Sequence, residues 1–309
     1  MRPVCYKGFA PLAGDSLTSA NSQFLVTYDV GGSHIGAGLC RLPDLALIRT
    51  ASGPIAGINS FEGFADLLHS LGMEAAAGTP LAGASLAVPG PFDHEAGISL
   101  MEHKLQYLYG KDLRAALATR FSFPPSRVLF LNDAAAYVLG EVGAGSLKGT
   151  TRSAGLTLGT GVGCAFVING RHVTSGPGVP PGGEIWNYPY AGGTVEDLIS
   201  TRAIKGAYAA RTGAEREVAD IAEAATSDPD AIAVFDRFGT ALGRVLRDVV
   251  APFRPDRVMI GGGIARSAPL FLPATEQAIQ GLGFNVVTAA LGDQAPLAGA
   301  GQFWKAALA

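Results

Sequence analysis

Apolar residues fall in short blocks from residue 24 onward, and the period within those blocks changes along the chain. The blocks at 24–30, 35–42 and 45–50 are separated by turns, a spacing that predicts a three-stranded antiparallel meander. Helical intervals follow over 60–71, where Phe61, Phe64, Leu67, Leu68 and Leu71 line one face and read as core. A strand over 84–88 is closed by Pro89-Gly90-Pro91, a helix fits 111–120, and a strand over 127–131 ends at Asn132-Asp133. The next helix, 134–140, is capped at its start by Asn132 or Asp133.

The second half repeats the plan. Strands at 154–158 and 165–169 flank a turn over 159–163, and Asn169-Gly170 makes a hairpin turn into 171–174. Helices are predicted over 194–209, 215–224 and 229–250, then a strand at 257–260, a helix at 264–280, a strand at 284–287 and a last helix over 298–308. Two halves, each a meander followed by strand-helix units, predict an α/β fold with mixed sheets. Internal sequence similarity is faint, so the duplication rests on element order. Residues 143–151 and 175–183 are candidate boundaries, and the second is too rich in Pro and Gly for regular structure, as binding loops are.

Composition narrows the class. Glycine supplies 42 of 309 residues, roughly twice ordinary usage, while charged residues make up only 16%. With 48% hydrophobic residues this describes a packed protein with many tight turns. A net charge of −3 without a basic stripe argues against nucleic acid as a partner. The three cysteines, Cys5, Cys40 and Cys164, build neither a disulfide framework nor a zinc spacing, so a reducing cytoplasm is the expected setting. No apolar run is long enough to span a membrane. Residues 1–23 read as a loosely ordered extension, since Gly8, Pro11, Gly14 and Asp15 interrupt any signal-peptide core.

Candidate chemistry collects where strands end. Asp29 precedes the turn Gly31-Gly32-Ser33, a second turn holds Gly159-Thr160-Gly161, and Gly261-Gly262-Gly263 follows a third strand. Glycine at such turns lets backbone N–H groups approach an anion, and three around a carboxylate suggest a nucleotide clamped between two lobes. There is no P-loop signature, and the 159–163 run continues into a strand where a dinucleotide fingerprint requires a helix. A carboxylate at Asp29 suits Mg2+ or its waters, or else caps its own turn. Asp133 is either an N-cap or a general base held at a strand end, and the two roles are compatible. Glu184, Asn187 and Glu196 lie around flexible backbone and could accept hydrogen bonds from a polyol, or be solvated loop groups. The five histidines show no metal-ligand spacing.

Taken together, these motifs resemble those of the ROK sugar kinases, within the actin-like ATPase and hexokinase superfamily. The resemblance runs from about residue 24 to the C-terminus. It rests on Asp29-Val-Gly-Gly-Ser33, Val88-Pro-Gly-Pro91, Leu131-Asn-Asp-Ala134, Leu158-Gly-Thr-Gly-Val-Gly163, Gly183-Glu-Ile185, Glu196-Asp197, Ile260-Gly-Gly-Gly-Ile264 and Ala298-Gly-Ala-Gly301. It implies two RNase H-like lobes with mixed sheets around a central cleft: 24–133 with 296–309, and 134–295. Asp133 would be the base that takes the proton of a sugar hydroxyl. Pro89, Gly90, Asn132, Glu184, Asn187 and Glu196 would lie at the sugar. Asp29, Gly31, Gly32, Ser33, Gly159, Thr160 and Gly161 would face phosphates and magnesium, and Gly261, Gly262 and Gly263 the nucleotide. The implied cofactors are ATP and Mg2+, the metal held by Asp29 through water.

Three departures from the family pattern stand out. Where the family often reads Gly-Glu-Ile-Gly-His, this chain has Gly183-Glu184-Ile185-Trp186-Asn187. Its cysteine-rich zinc cluster is replaced by 189–194, so structural zinc is not expected. The asparagine common at the sugar's far side is absent from 101–104, where Glu102 or His103 is the candidate substitute. The expected activity is therefore ATP-dependent phosphorylation of a hexose or related sugar at a primary hydroxyl. The alternatives are a kinase for a carboxylate or polyol, and a non-catalytic sugar-binding regulator, disfavoured because the stretch before Phe24 is too short for a helix-turn-helix domain and Asp133 is intact. A homodimer is compatible with either reading.

Overall fold

A computed structural model describes residues 23–102 and 105–308. These divide into two compact units, one running to Lys148 and resuming at Asp293, the other spanning Gly149–Gly292.

In the first unit, β1 (Phe24–Val30), β2 (His34–Arg41) and β3 (Ala46–Pro54) form the antiparallel meander. α1 (Phe61–Ala76) begins where the Ser60 hydroxyl accepts the Gly63 N–H at 3.2 Å, satisfying one open donor of the first turn. β4 (Ala84–Val88) follows, then the short β5 (Phe92–Asp93) and β6 (Ile98–Ser99), α2 (Leu113–Phe121), β7 (Val128–Asn132) and α3 (Asp133–Ala144). The sheet order is β3-β2-β1-β4-β7, with β1, β4 and β7 parallel. All five residues of β4 are buried, which is why it reads as a continuous apolar run without alternation.

The second unit repeats this order. β8 (Arg152–Leu158), β9 (Val162–Ile168) and β10 (Arg171–Val173) form the meander, with Asn169 at φ 50° and Gly170 at φ 73°, as a two-residue hairpin of this kind requires. After the hairpin β11 (Pro189–Tyr190) and β12 (Gly193–Thr194) come α4 (Val195–Ile199), α5 (Thr201–Thr212), α6 (Val218–Ala224) and α7 (Pro229–Val245). β13 (Arg257–Gly261), α8 (Ala268–Ile279) and β14 (Asn285–Thr288) complete it, in the order β10-β9-β8-β13-β14. Duplication is thus visible in topology where it was faint in sequence.

Several boundaries differ from expectation, four of them for a reason that the fold makes plain. The helix predicted over 194–209 breaks at Ser200, which is extended (φ −113°, ψ 172°), because the Thr201 N–H bonds Gly159 O at 2.8 Å. The turn predicted over 159–163 is shorter, since Val162 and Gly163 already pair in β9. The helix predicted from 264 opens as a 3-10 turn, Gly263–Ser267, before α8. The unit boundary expected after Asp133 lies after Lys148, because α3 packs against α9 (Ala295–Leu308) in the first unit. That crossing is close: a Cβ on Gly140 would overlap Ala295 O, and one on Gly299 would overlap Ala136 O. No helix among the described residues is long and apolar enough to cross a membrane.

Candidate active site

Parallel strands bring their carboxyl ends to one edge of a sheet, the usual position for a ligand in α/β folds. In the first unit, Asp29 on β1 is opposite Ala87 on β4, and Val88 on β4 is opposite Asn132 on β7. Asp29 and Asn132-Asp133 therefore lie two strands apart, roughly 10 Å, with Pro89-Gly90 following the strand between them. Asn132 Oδ1 accepts the Ala135 N–H at 3.2 Å and caps α3. This orients the amide so that its NH2 remains to donate. Asp133 Oδ1 accepts the Ala134 N–H at 2.9 Å, fixing the carboxylate at the helix start.

Asp29 is pushed up to about 6, by burial first and then by the negative charges of Asp133 and Asp293. Asp293 stands just before α9 and was not singled out from the sequence; no motif marks it, because only the return of α9 places it near β1. The Gly31 N–H bonds His34 O at 2.9 Å, so the donors this turn can offer an anion narrow to Gly32 and Ser33. Glu102 is exposed, and His103 lies outside the described residues, as do residues 1–22 of the expected extension.

In the second unit, β8 and β13 are parallel neighbours, so the turns that follow them lie side by side. Gly262, at φ 82°, sits so close to β8 that a Cβ would come within 2.5 Å of Leu158 O. Only glycine fits there. The Gly159 N–H bonds Gly161 O at 3.0 Å, leaving Thr160 and Gly161 to present their N–H groups. Glu196 Oε2 accepts the Val162 N–H at 3.1 Å, so this carboxylate buttresses the turn. Its position in the first turn of α4 brings it there, through the Glu196 N–H bond to Trp186 O at 3.0 Å.

Glu184 and Asn187 are both exposed, and Glu184 Oε2 accepts the Trp186 indole N–H at 2.9 Å. Beside Thr160 lies a concavity of about 400 Å³ lined by Thr160, Thr201, Arg202, Lys205, Gly206, Ala209 and Glu215. The sequence reading missed it. Its only trace there is a run of polar residues at helical spacing behind the glycine turn. The hairpin at 189–194 is held by hydrogen bonds: Asp197 accepts from the Thr194 N–H and hydroxyl and pairs with Arg202, and the Tyr190 hydroxyl donates to Asp248. Among the described residues, no group of three or more His, Cys, Asp or Glu is arranged to hold a metal ion.

The family model described as ROK family matches residues 28–307. This chain belongs to the ROK family. A glucokinase of Thermotoga maritima is 27% identical over 280 residues, covering 82% of this chain and 87% of that protein. The solved ROK hexokinase from Thermus thermophilus is 25% identical with a TM-score of 0.77, covering 91% of this chain and 97% of its own. A ROK family glucokinase from Streptomyces griseus in complex with glucose and AMPPNP is 23% identical with a TM-score of 0.69, covering 90% and 97%, and shares the fold.

Proposed function

We propose that this ROK protein is an ATP- and magnesium-dependent kinase that phosphorylates a hydroxyl of a hexose or related sugar, with Asp133 as base. The observation that carries this is the pairing of Asp29 and Asp133 at carboxyl ends of parallel strands in one sheet. Asn132 donates to the sugar through the amide that its capping bond orients. Asp133 takes the proton of the attacking hydroxyl as that oxygen bonds the γ-phosphorus and ADP leaves. Thr160, Gly161, Gly32 and Ser33 supply backbone N–H groups to the phosphates, Gly261–Gly263 supports the nucleoside, and Glu184, Asn187 and Glu196 accept sugar hydroxyls. The concavity beside Thr160 fits the nucleotide side of this arrangement.

The donor set fits magnesium. Asp29 is a carboxylate whose charge is opposed by Asp133 and Asp293, and a cation relieves that opposition. One carboxylate with waters and substrate phosphates is the usual protein share for this ion. Bound there, Mg2+ neutralises charge on the phosphates. The test is a panel of sugars and polyols assayed for ADP release. Phosphorylation of a hexose is expected, and no turnover with any sugar would overturn the kinase reading in favour of a sugar-binding regulator.

Asp29→Asn separates function from stability. Asp29 is raised from its ordinary value near 3.8 to about 6, so the folded state resists its ionisation. The relative stability this gives is fully present below about pH 4 and is lost as pH rises through 6. Above pH 6 the native aspartate costs up to about 3 kcal/mol relative to a neutral isostere. Asp29→Asn is therefore expected to be more stable than the native protein at pH 8, the gap closing as pH falls toward 4, while phosphoryl transfer is lost. Denaturant unfolding across pH, beside the ADP assay, checks both halves; equal stabilities at pH 8 would contradict the electrostatic account.

A further inference from the structure

Ile185 is fully buried and anchors the segment that carries Glu184 to the core of the second unit. Trp186 and Asn187 occupy the centre of a turn closed by the Tyr188 N–H bond to Ile185 O at 3.0 Å. They consequently project outward, and Trp186 is 44% exposed. A single exposed aromatic carries no meaning alone. Trp186 differs because its indole N–H is engaged with the Glu184 carboxylate at 2.9 Å and its carbonyl with the backbone N–H of Glu196 at 3.0 Å, two residues assigned to the sugar.

A hexopyranose has weakly polar C–H faces edged by hydroxyls. Holding one takes an apolar wall for a face and oriented acceptors for the rim. Trp186 and Glu184 supply that combination in adjacent side chains, because the N–H bond occupies one Glu184 oxygen, leaves the other for a hydroxyl, and fixes the indole plane beside it. We propose that Trp186 contacts the acceptor and is a specificity-determining residue: its ring packs on the C–H face of the hexopyranose that Glu184 grips at the rim. A sugar whose packed face carries a projecting hydroxyl is rejected, since that group would be desolvated against the indole without a partner. This rests on the kinase reading above and adds to it the means by which one epimer is selected.

The chain has two tryptophans, and Trp304 is only 6% exposed, so fluorescence changes on sugar binding report mainly on Trp186. Titrating the whole protein with D-glucose, D-mannose or D-galactose without nucleotide is expected to shift the emission for the accepted sugar, and Trp186→Phe to abolish the shift. In steady-state assays Trp186→Ala is expected to raise the acceptor KM by about tenfold, the sum of a lost stacking contact and a lost hydrogen bond. The ATP KM stays unchanged and the ratio of kcat/KM between epimers narrows. Trp186→Phe retains the wall and most of the discrimination. An unchanged acceptor KM and epimer ratio in Trp186→Ala, or a change confined to ATP, would overturn the proposal while leaving the kinase intact. If the native protein phosphorylates no sugar, the kinase reading fails, and the fluorescence titration still decides whether Trp186 touches one.

Discussion

Asp133→Asn is expected to lower kcat for sugar phosphorylation by about 10²- to 10⁴-fold, the range by which a positioned general base accelerates proton transfer. The substitution keeps the shape. An asparagine Oδ1 still accepts the Ala134 N–H that Asp133 accepts at 2.9 Å, and the Asn132 cap on Ala135 is untouched. Binding should survive, with the acceptor KM changing far less than kcat, since what is removed acts as the hydroxyl attacks and not while it rests in the site. Asp133→Asn also removes one of the charges that raise Asp29, so Asp29 in that variant should ionise at lower pH. Coupled ADP detection measures the first effect, and NMR titration of the Asp29 carboxyl measures the second. Retention of more than a tenth of native kcat would end the assignment of Asp133 as base.

The largest effect on stability is expected at the crossing of α3 and α9. Gly299 faces the Ala136 carbonyl and Gly140 faces the Ala295 carbonyl, in each case backbone against backbone. A methyl group there cannot be accommodated by rotating a side chain, so the helices must move apart and the contact along their length opens. Overpacking a core ordinarily costs 1–3 kcal/mol, and with no flexible neighbour to yield, Gly299→Ala should cost about 3 kcal/mol or more. Gly140→Ala should behave similarly, and the pair should cost less than the sum because either one opens the same crossing. Gly206→Ala is the control. It lies inside α5 with nothing within 4 Å of its added Cβ, and alanine there should stabilise by up to about 1 kcal/mol. Urea unfolding of the three single variants and the double checks the series. A stable Gly299→Ala would mean that the crossing is looser than described.

Local patterns carried much of this protein's architecture in readable form. Both meanders, the run of buried strands, the Asn169-Gly170 hairpin and the cap at Asn132 were legible because each depends on residues within a few positions of one another. The break at Ser200 was not legible. Residues 194–209 have a helical period throughout, and the break depends on Gly159 O, some forty positions earlier in sequence, taking the Thr201 N–H. The candidate site divides the same way. Strand ends marked by Asp, Asn and Gly stand out in the chain, whereas which polar atoms remain available does not. Gly31 and Gly159 have their own N–H groups engaged within their turns, and Glu196 leans on Val162.

The sequence by itself determined the α/β class, the order of elements, the placing of Asp29 and Asp133 at strand ends, and membership of a family whose motifs it carries in order. Periodicity and turn chemistry are short-range properties, and they are written in neighbouring residues. Tertiary structure alone decided that Asp293 joins Asp29 and Asp133, that α3 belongs with α9, and that Trp186 holds Glu184. Those relations depend on how separate segments pack, and no local pattern encodes the distance between side chains that folding brings together.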